Sequence, residues 1–287
     1  MSPRRHENPS PGFLCAAAAF AWLLLLATAA AALAQASPAP PQPVPPDPRA
    51  ARPERPSVAT HAFTVAPGVF ELEAGTQRQA DGALQNYLAL PFLMKIGLGP
   101  RVQLDIAPGW QRNDEYGRVT AGMTDLVVGV KWRVADDAGV LGTFAIQTTA
   151  ALPTGSAESG TGTGETAVNL LAISSRTIGP VSLDLNVGYT HRTGDGSAVP
   201  TSDWLWTVST GIPLVGNLGM GAEVYGIPAS SGPAGRPPVV AFLVNLNYAI
   251  TPRVIVDGGA TFDISGFGET ALFGGLTWNI GRAWGGR

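Results

Sequence analysis

Between Gly122 and Gly155 the chain alternates at period two over two runs, and this stretch limits the possible folds more than any other. Leu126, Val128, Val130, Trp132 and Val134 fall on one face. Asp125, Gly129, Lys131 and Arg133 fall on the other, with Val127 the one apolar residue on that side. Successive side chains of a strand point to opposite faces, so the ribbon is apolar on one side and charged or small on the other. Ala135–Gly139 reads as a tight polar turn. The return run, about 140–152, sets Phe144, Ile146, Thr148, Ala150 and Leu152 against Ala145, Gln147, Thr149 and Ala151. Soluble sandwich strands are about 5–6 residues long, whereas a tilted strand needs roughly 9–11 to cross a bilayer. The hairpin is expected to span a membrane.

The same pattern recurs along the chain. Strands are expected near 68–77, 86–97, 102–110, 165–176, 181–190, 203–213, 218–226, 239–250, 254–263 and 269–281, which with the hairpin makes twelve. An even number suits a bacterial single-chain barrel. Short turns fall at 98–101, 135–139, 178–180, 214–217 and 251–253, and longer polar or Gly-rich loops at 78–85, 112–122, 155–165, 192–202, 227–238 and 264–268. Outer-membrane barrels have short periplasmic turns and longer external loops, which puts the N-terminus in the periplasm. In that orientation Trp110, Tyr189, Trp204, Trp206 and Tyr225 mark the outer interface, and Trp132, Tyr248 and Trp278 the inner one. The expected fold is an all-β, 12-stranded antiparallel transmembrane up-and-down β-barrel of the bacterial outer membrane.

The N-terminus fits this destination. Arg4 and Arg5 precede an apolar run from Phe13 to Leu33, which ends in the small-residue sites Ala32-Leu33-Ala34 and Ala34-Gln35-Ala36. Residues 1–36 therefore read as a secretory signal peptide. The only cysteine, Cys15, lies inside it. Residues 37–60 are Pro-rich and read as a solvated periplasmic leader, 61–281 as the barrel, and 282–287 as a C-terminal tail. No apolar run of about 18 residues follows the signal, so no transmembrane helix is expected there. Only 14% of residues are charged, against roughly 25% in soluble domains. The net charge of −3 gives no basic footprint for nucleic acid.

Several segments resemble a family of outer-membrane proteins catalogued under the MetA pathway of phenol degradation. They are Gly122-Met123-Thr124-Asp125-Leu126 with Gly129 and Lys131, Leu152-Pro153-Thr154-Gly155, Leu185-Asn186-Val187-Gly188-Tyr189, and Gly275-Leu276-Thr277-Trp278. The resemblance spans roughly residues 60–281, and the motifs are specific only as a set. It implies a small barrel that passes apolar or aromatic compounds, with outer-membrane lipid around it and no catalytic residues to carry over. The chain departs from many such barrels by continuing past Trp278 to Arg287 instead of ending on an aromatic residue.

Candidate functional residues are the charges on the inward face: Glu71, Glu73, Asp105, Asp125, Asp184, Glu223 and Asp257 against Lys95, Lys131 and Arg133. One reading makes them a paired network that fills the lumen, since buried charges must be paired. The other makes them a lining that sets selectivity. Asp105 is expected to lie beside Lys131 or Arg133, which repel each other on one face. No cofactor or metal is expected, because no His/Asp/Glu cluster has ligand spacing. Gly155–Thr166 is no phosphate loop, as Thr161 stands where Lys is needed. Two rival readings remain. One is a barrel-borne lipid hydrolase, for which His61 and His191 lack an evident nucleophile and orienting group. The other is a structural or surface-interaction barrel without transport.

Overall fold

The computed structural model describes residue 47 and residues 49–81, 85–228, 230–265 and 270–284. The signal expected over 1–36 lies outside these. The first hairpin is β1, Val69–Asp81, and β2, Gln85–Gly99. Next comes β3, in two segments, Val102–Ala107 and Gly109–Glu115. Then follows β4, also in two segments, Arg118–Met123 and Leu126–Ala135. The next four are β5, Thr143–Leu152, β6, Ala167–Ile178, β7, Val181–Arg192, and β8, Ser202–Pro213. The last four are β9, Leu218–Ile227, β10, Val239–Thr251, β11, Val254–Asp263, and β12, Ala271–Arg282. Each strand pairs antiparallel with the next, and β12 pairs with β1 to close the barrel. Closure removes the sheet edges that lipid could not satisfy.

The polarity is the reverse of a water-soluble core. Val130, Trp132, Leu170, Val187, Leu246 and Leu272 are exposed on the outside, while Glu71, Glu73, Lys95, Gln103 and Lys131 are fully buried inside. Trp132, Tyr248 and Trp278 are exposed at the short-turn end, and Tyr189 meets Trp204 at a tilt of 50°, centroids 5.0 Å apart, at the other. Tyr225 departs from the expected interface position. It shares the inward parity of Glu223 and lines a lumenal cavity.

Two further expectations are corrected. The loop expected over 112–122 is a continuation of β3 and β4, closed by Tyr116 and Gly117 with φ of 52° and 82°. Paired left-handed residues make the two-residue turn that matches strand twist, and the polar Asn113–Glu115 obscured it by breaking the alternation. Both strands are also interrupted, at Pro108 and at Thr124-Asp125. Pro108 has no N–H to give the ladder, though its carbonyl still accepts from Phe92 at 3.1 Å.

Beyond β12 the tail turns back on the seam. Ala283 N donates to Gly68 O at 2.9 Å, and Trp284 meets Phe70 edge to face at 5.1 Å.

The facing makes a direct test of assembly. Val128 sits outward at the middle of β4, opposite Ile106 and Ala150. Val128→Arg should block outer-membrane assembly at a cost of about 2–4 kcal/mol. Val128→Leu should assemble, as heat-modifiable migration on gels will show; equal assembly of the two would contradict the facing.

Candidate functional site

The main site is the lumen, and its contents come from the end of the leader read over 37–60 and from residues 61–68, which the sequence assigned to the barrel. From Ala50 to Gly68 the chain enters at the short-turn end, rises to an apex near Ser57, and descends to the start of β1. At entry, Ala51 N donates to Pro252 O at 2.8 Å and Asn279 Nδ2 donates to Ala50 O at 3.3 Å. At exit, Gly68 N donates to Gly97 O at 2.7 Å. Proline removes N–H groups that a segment without a ladder could not pair. The remaining N–H groups find side chains of the barrel wall. Glu71 accepts from Arg52, and Glu73 from Glu54 and Arg55, each at 2.9 Å. Glu223 accepts from Ala59 at 2.9 Å and also from the Ser57 hydroxyl. Thr60 and Asn186 bond reciprocally at 2.7 and 2.9 Å. Ser175 accepts from Ala62 at 2.8 Å, and Gln103 from Val65 at 2.9 Å.

Two buried lysines fasten this plug. Lys95 lies 2.7 Å from Glu71, pairs also with Glu73, and donates to the Arg52 carbonyl. Lys131 pairs with Glu54 and donates to Thr60 Oγ1 at 2.9 Å and His61 O at 3.1 Å. Each ammonium thus joins a carboxylate to the plug backbone, the arrangement a buried cation requires. Arg55 lies on Gly75 and Gly275, which face each other across β1 and β12. A Cβ on Gly75 would stand 2.1 Å from the guanidinium carbon, and one on Gly275 2.6 Å from Nε. At Gly275 a Cβ would also stand 2.7 Å from the Ala74 carbonyl oxygen, so backbone requires glycine there, whereas at Gly75 only the Arg55 side chain would have to move. Arg55 Nη2 donates to Gly274 O at 3.1 Å and lies 3.7 Å from Asp257.

The ten candidate residues separate into three groups. Glu71, Glu73, Lys95, Lys131, Glu223 and Asp257 contact the plug as described. Asp105 accepts from Gln103 at 2.7 Å and Gln147 at 2.8 Å, and Asp184 accepts from Ser175. The direct ion pairs of Lys131 and Arg133 are made with residues other than Asp105. Glu54 takes Lys131, and Arg133 turns to the periplasmic rim, 2.9 Å from Asp136. The reason is that the plug supplies a carboxylate from outside the strands. Asp125 serves the outer rim. It accepts from Gly155 N at 3.0 Å and from Thr163 N and Oγ1, both at 2.8 Å. Leu126 N donates to Thr154 Oγ1 at 2.8 Å, so Thr124-Asp125 and Thr154-Gly155 meet where β4 is interrupted. His61 lies in the plug, 3.3 Å from Arg52 O through Nε2, while His191 is exposed at the outer end of β7.

Above the apex, a cavity of about 260 Å³ is floored by Arg55, Pro56, Ser57 and Val58. Its walls include Phe273, Tyr225, Leu243 and Pro91, with Gln77 and Gln79 as amides. Small-molecule sites are mostly apolar with a few placed polar groups, which is the character of this lining. The plug and this cavity were both missed in sequence, because residues 49–68 carry no strand periodicity. A signal was present in the charge count: seven inward carboxylates faced three cations, so donors had to come from elsewhere.

The family model described as "Putative MetA-pathway of phenol degradation" matches residues 54–278, beginning inside the plug. The fold is similar to the COG4313 outer membrane channel from Pseudomonas putida F1, with a TM-score of 0.59 and 12% identity over 82% of this chain and 99% of that one. It is also similar to the NanC porin, with a TM-score of 0.52 and 10% identity over 74% of this chain and 100% of that one. No curated protein matches the sequence. The fold is that of outer-membrane channels and porins, consistent with a place in the bacterial outer membrane.

Proposed function

The chain belongs to the family described as the MetA pathway of phenol degradation, and on that premise we propose that it passes small apolar or aromatic molecules across the outer membrane without chemical change. The observation that carries this reading is the outer cavity. Its volume of about 260 Å³ suits a single ring, and Phe273, Tyr225, Leu243 and Pro91 offer that ring apolar contact. A solute from outside would rest there, above a plug held by hydrogen bonds and two lysines. Gln77, Gln79 and Arg55 at the same site would engage a hydroxyl or carbonyl on the ring. The lumenal charges would then serve both to seat the plug and to set selectivity.

Proteoliposome uptake of a phenol against a sugar of similar mass tests the proposal. The wild type should favour the phenol, and Phe273→Ala should lower phenol entry while leaving the barrel assembled. Equal passage of phenol and sugar, unaffected by Phe273→Ala, would refute it.

A further inference from the structure

The outer cavity has a counterpart at the other end of the lumen. A second cavity, of about 510 Å³, opens at the periplasmic rim between β6 and β10. Its inward lining includes Thr177, Ser182, Gly211, Gly219 and Asn247. Both cavities therefore border β9 and β10. The register there gives their separation in layers. Thr207, Tyr225 and Ala241 lie level, then Ser209, Glu223 and Leu243, then Gly211, Gly221 and Asn245. The layer of Gly219 and Asn247 follows. Tyr225 and Leu243 line the outer cavity, and Gly211, Gly219 and Asn247 the inner one. Layers are two residues apart, about 7 Å, so little more than the Glu223 and Gly221 layers divides the two spaces.

On the opposite wall Gln147 and Thr149 of β5 are partly exposed, but the positions around them are packed. Gln103, Asp105, Lys131, Ala145, Leu171 and Ile173 are all buried on β3 to β6, and Ala62 of the plug packs against Ala145 and Ile173. On β8 to β10, Ser209 level with Glu223, and Gly221, Asn245 and Asn247 below it, remain partly exposed. The plug is also fastened unevenly. Lys95 and Lys131 hold Arg52, Glu54 and His61 through an ion pair and hydrogen bonds, whereas Ser57 and Ala59 hydrogen-bond to the wall at Glu223. Moving the apex leaves the buried ion pairs intact, and breaking such pairs is the costlier step.

We propose, resting on the channel reading above, that solutes pass the plug along the β8–β10 wall only, through a gate formed by Glu223 with Ser57 and Ala59. Opening moves the apex and leaves the limbs of the plug anchored. The Glu223 carboxylate then faces the route, so uncharged and cationic solutes pass and carboxylates are rejected. Asn245, Asn247 and Ser209 offer amides and a hydroxyl to a hydrogen-bonding group on the solute.

Single-channel recording of the full chain in planar bilayers tests this. Ser209→Cys should lose most of its current on treatment with a cationic methanethiosulfonate reagent. Ala145→Cys should keep its current, as should the wild type, whose one cysteine is Cys15. Equal block of Ser209→Cys and Ala145→Cys would show that the whole plug leaves, and overturns the one-sided route. Insensitivity of Ser209→Cys overturns it too. Glu223→Gln should conduct with a weaker cation preference, read as a reversal potential nearer zero in a salt gradient; an unchanged reversal potential overturns the gate. A wild type that passes neither ions nor phenol overturns the channel reading and the route with it, whereas a conducting wild type with an insensitive Ser209→Cys overturns the route alone.

Discussion

Lys95→Met is expected to be among the most damaging single changes inside the barrel. The ammonium is essentially without solvent and stands between Glu71 and Glu73, which are equally buried. Removing one partner of a buried ion pair leaves the other charge uncompensated, at about 3–5 kcal/mol. Both carboxylates would be left, on the strand into which the plug leads. Urea unfolding in liposomes, followed by heat-modifiable migration, should show the loss. Adding Glu71→Gln and Glu73→Gln should recover part of it, since the amide carbonyl at position 71 can still accept from Arg52 and that at position 73 from one of the two N–H groups of Glu54 and Arg55. A single variant as stable as the wild type would mean that the three charges do not act as one unit.

That triad also shows where sequence reasoning worked and where it stopped. Glu71, Glu73 and Lys95 were legible as inward residues because the period of two assigns every side chain to a face. The register then placed Glu71 opposite Lys95 in the ladder of β1 and β2. Twelve strands and most interface aromatics followed from the same periodicity, whereas the connection at Tyr116-Gly117 is as tight as a periplasmic turn. What did not follow was anything without a period. Residues 49–68 have no alternation and are rich in proline, so their composition matched a spacer as well as a plug. Pro108 and Thr124-Asp125 break a ladder without breaking the sheet, because neighbouring carbonyls and Thr154 take over the bonds. Asp125 matched the inward parity of Lys131, yet its position at the strand end gave it to the loop over 155–165. Parity fixes a face, but depth and partner depend on segments that the alternation does not describe.

Deleting residues 49–64 is expected to raise single-channel conductance several-fold while leaving the barrel able to assemble. A barrel of about eight strands is filled by its own side chains, and one of 16–18 leaves an aqueous channel. Twelve strands lie between these cases, so the filling of the lumen depends on what enters it. Here the inward wall meets the plug at Gly75 and Gly275, where the Arg55 side chain occupies the space that a wall side chain would fill. Removing the plug would therefore leave space that wall residues cannot refill. The wall itself should tolerate the loss. Glu71, Glu73, Glu223, Asn186, Ser175 and Gln103 would exchange plug N–H donors for water, and Lys131 would exchange Glu54 for hydration in the opened lumen. Lys95 would keep both its carboxylates, so the principal ion pairs between wall strands survive. Recordings on the deleted chain should show larger and less selective currents. If conductance instead stays at the wild-type level in an assembled barrel, the lumen is closed elsewhere. The outer loop over 155–165, which Gln111 and Asn113 hold through the Gly160 carbonyl, would then be the barrier instead of the plug.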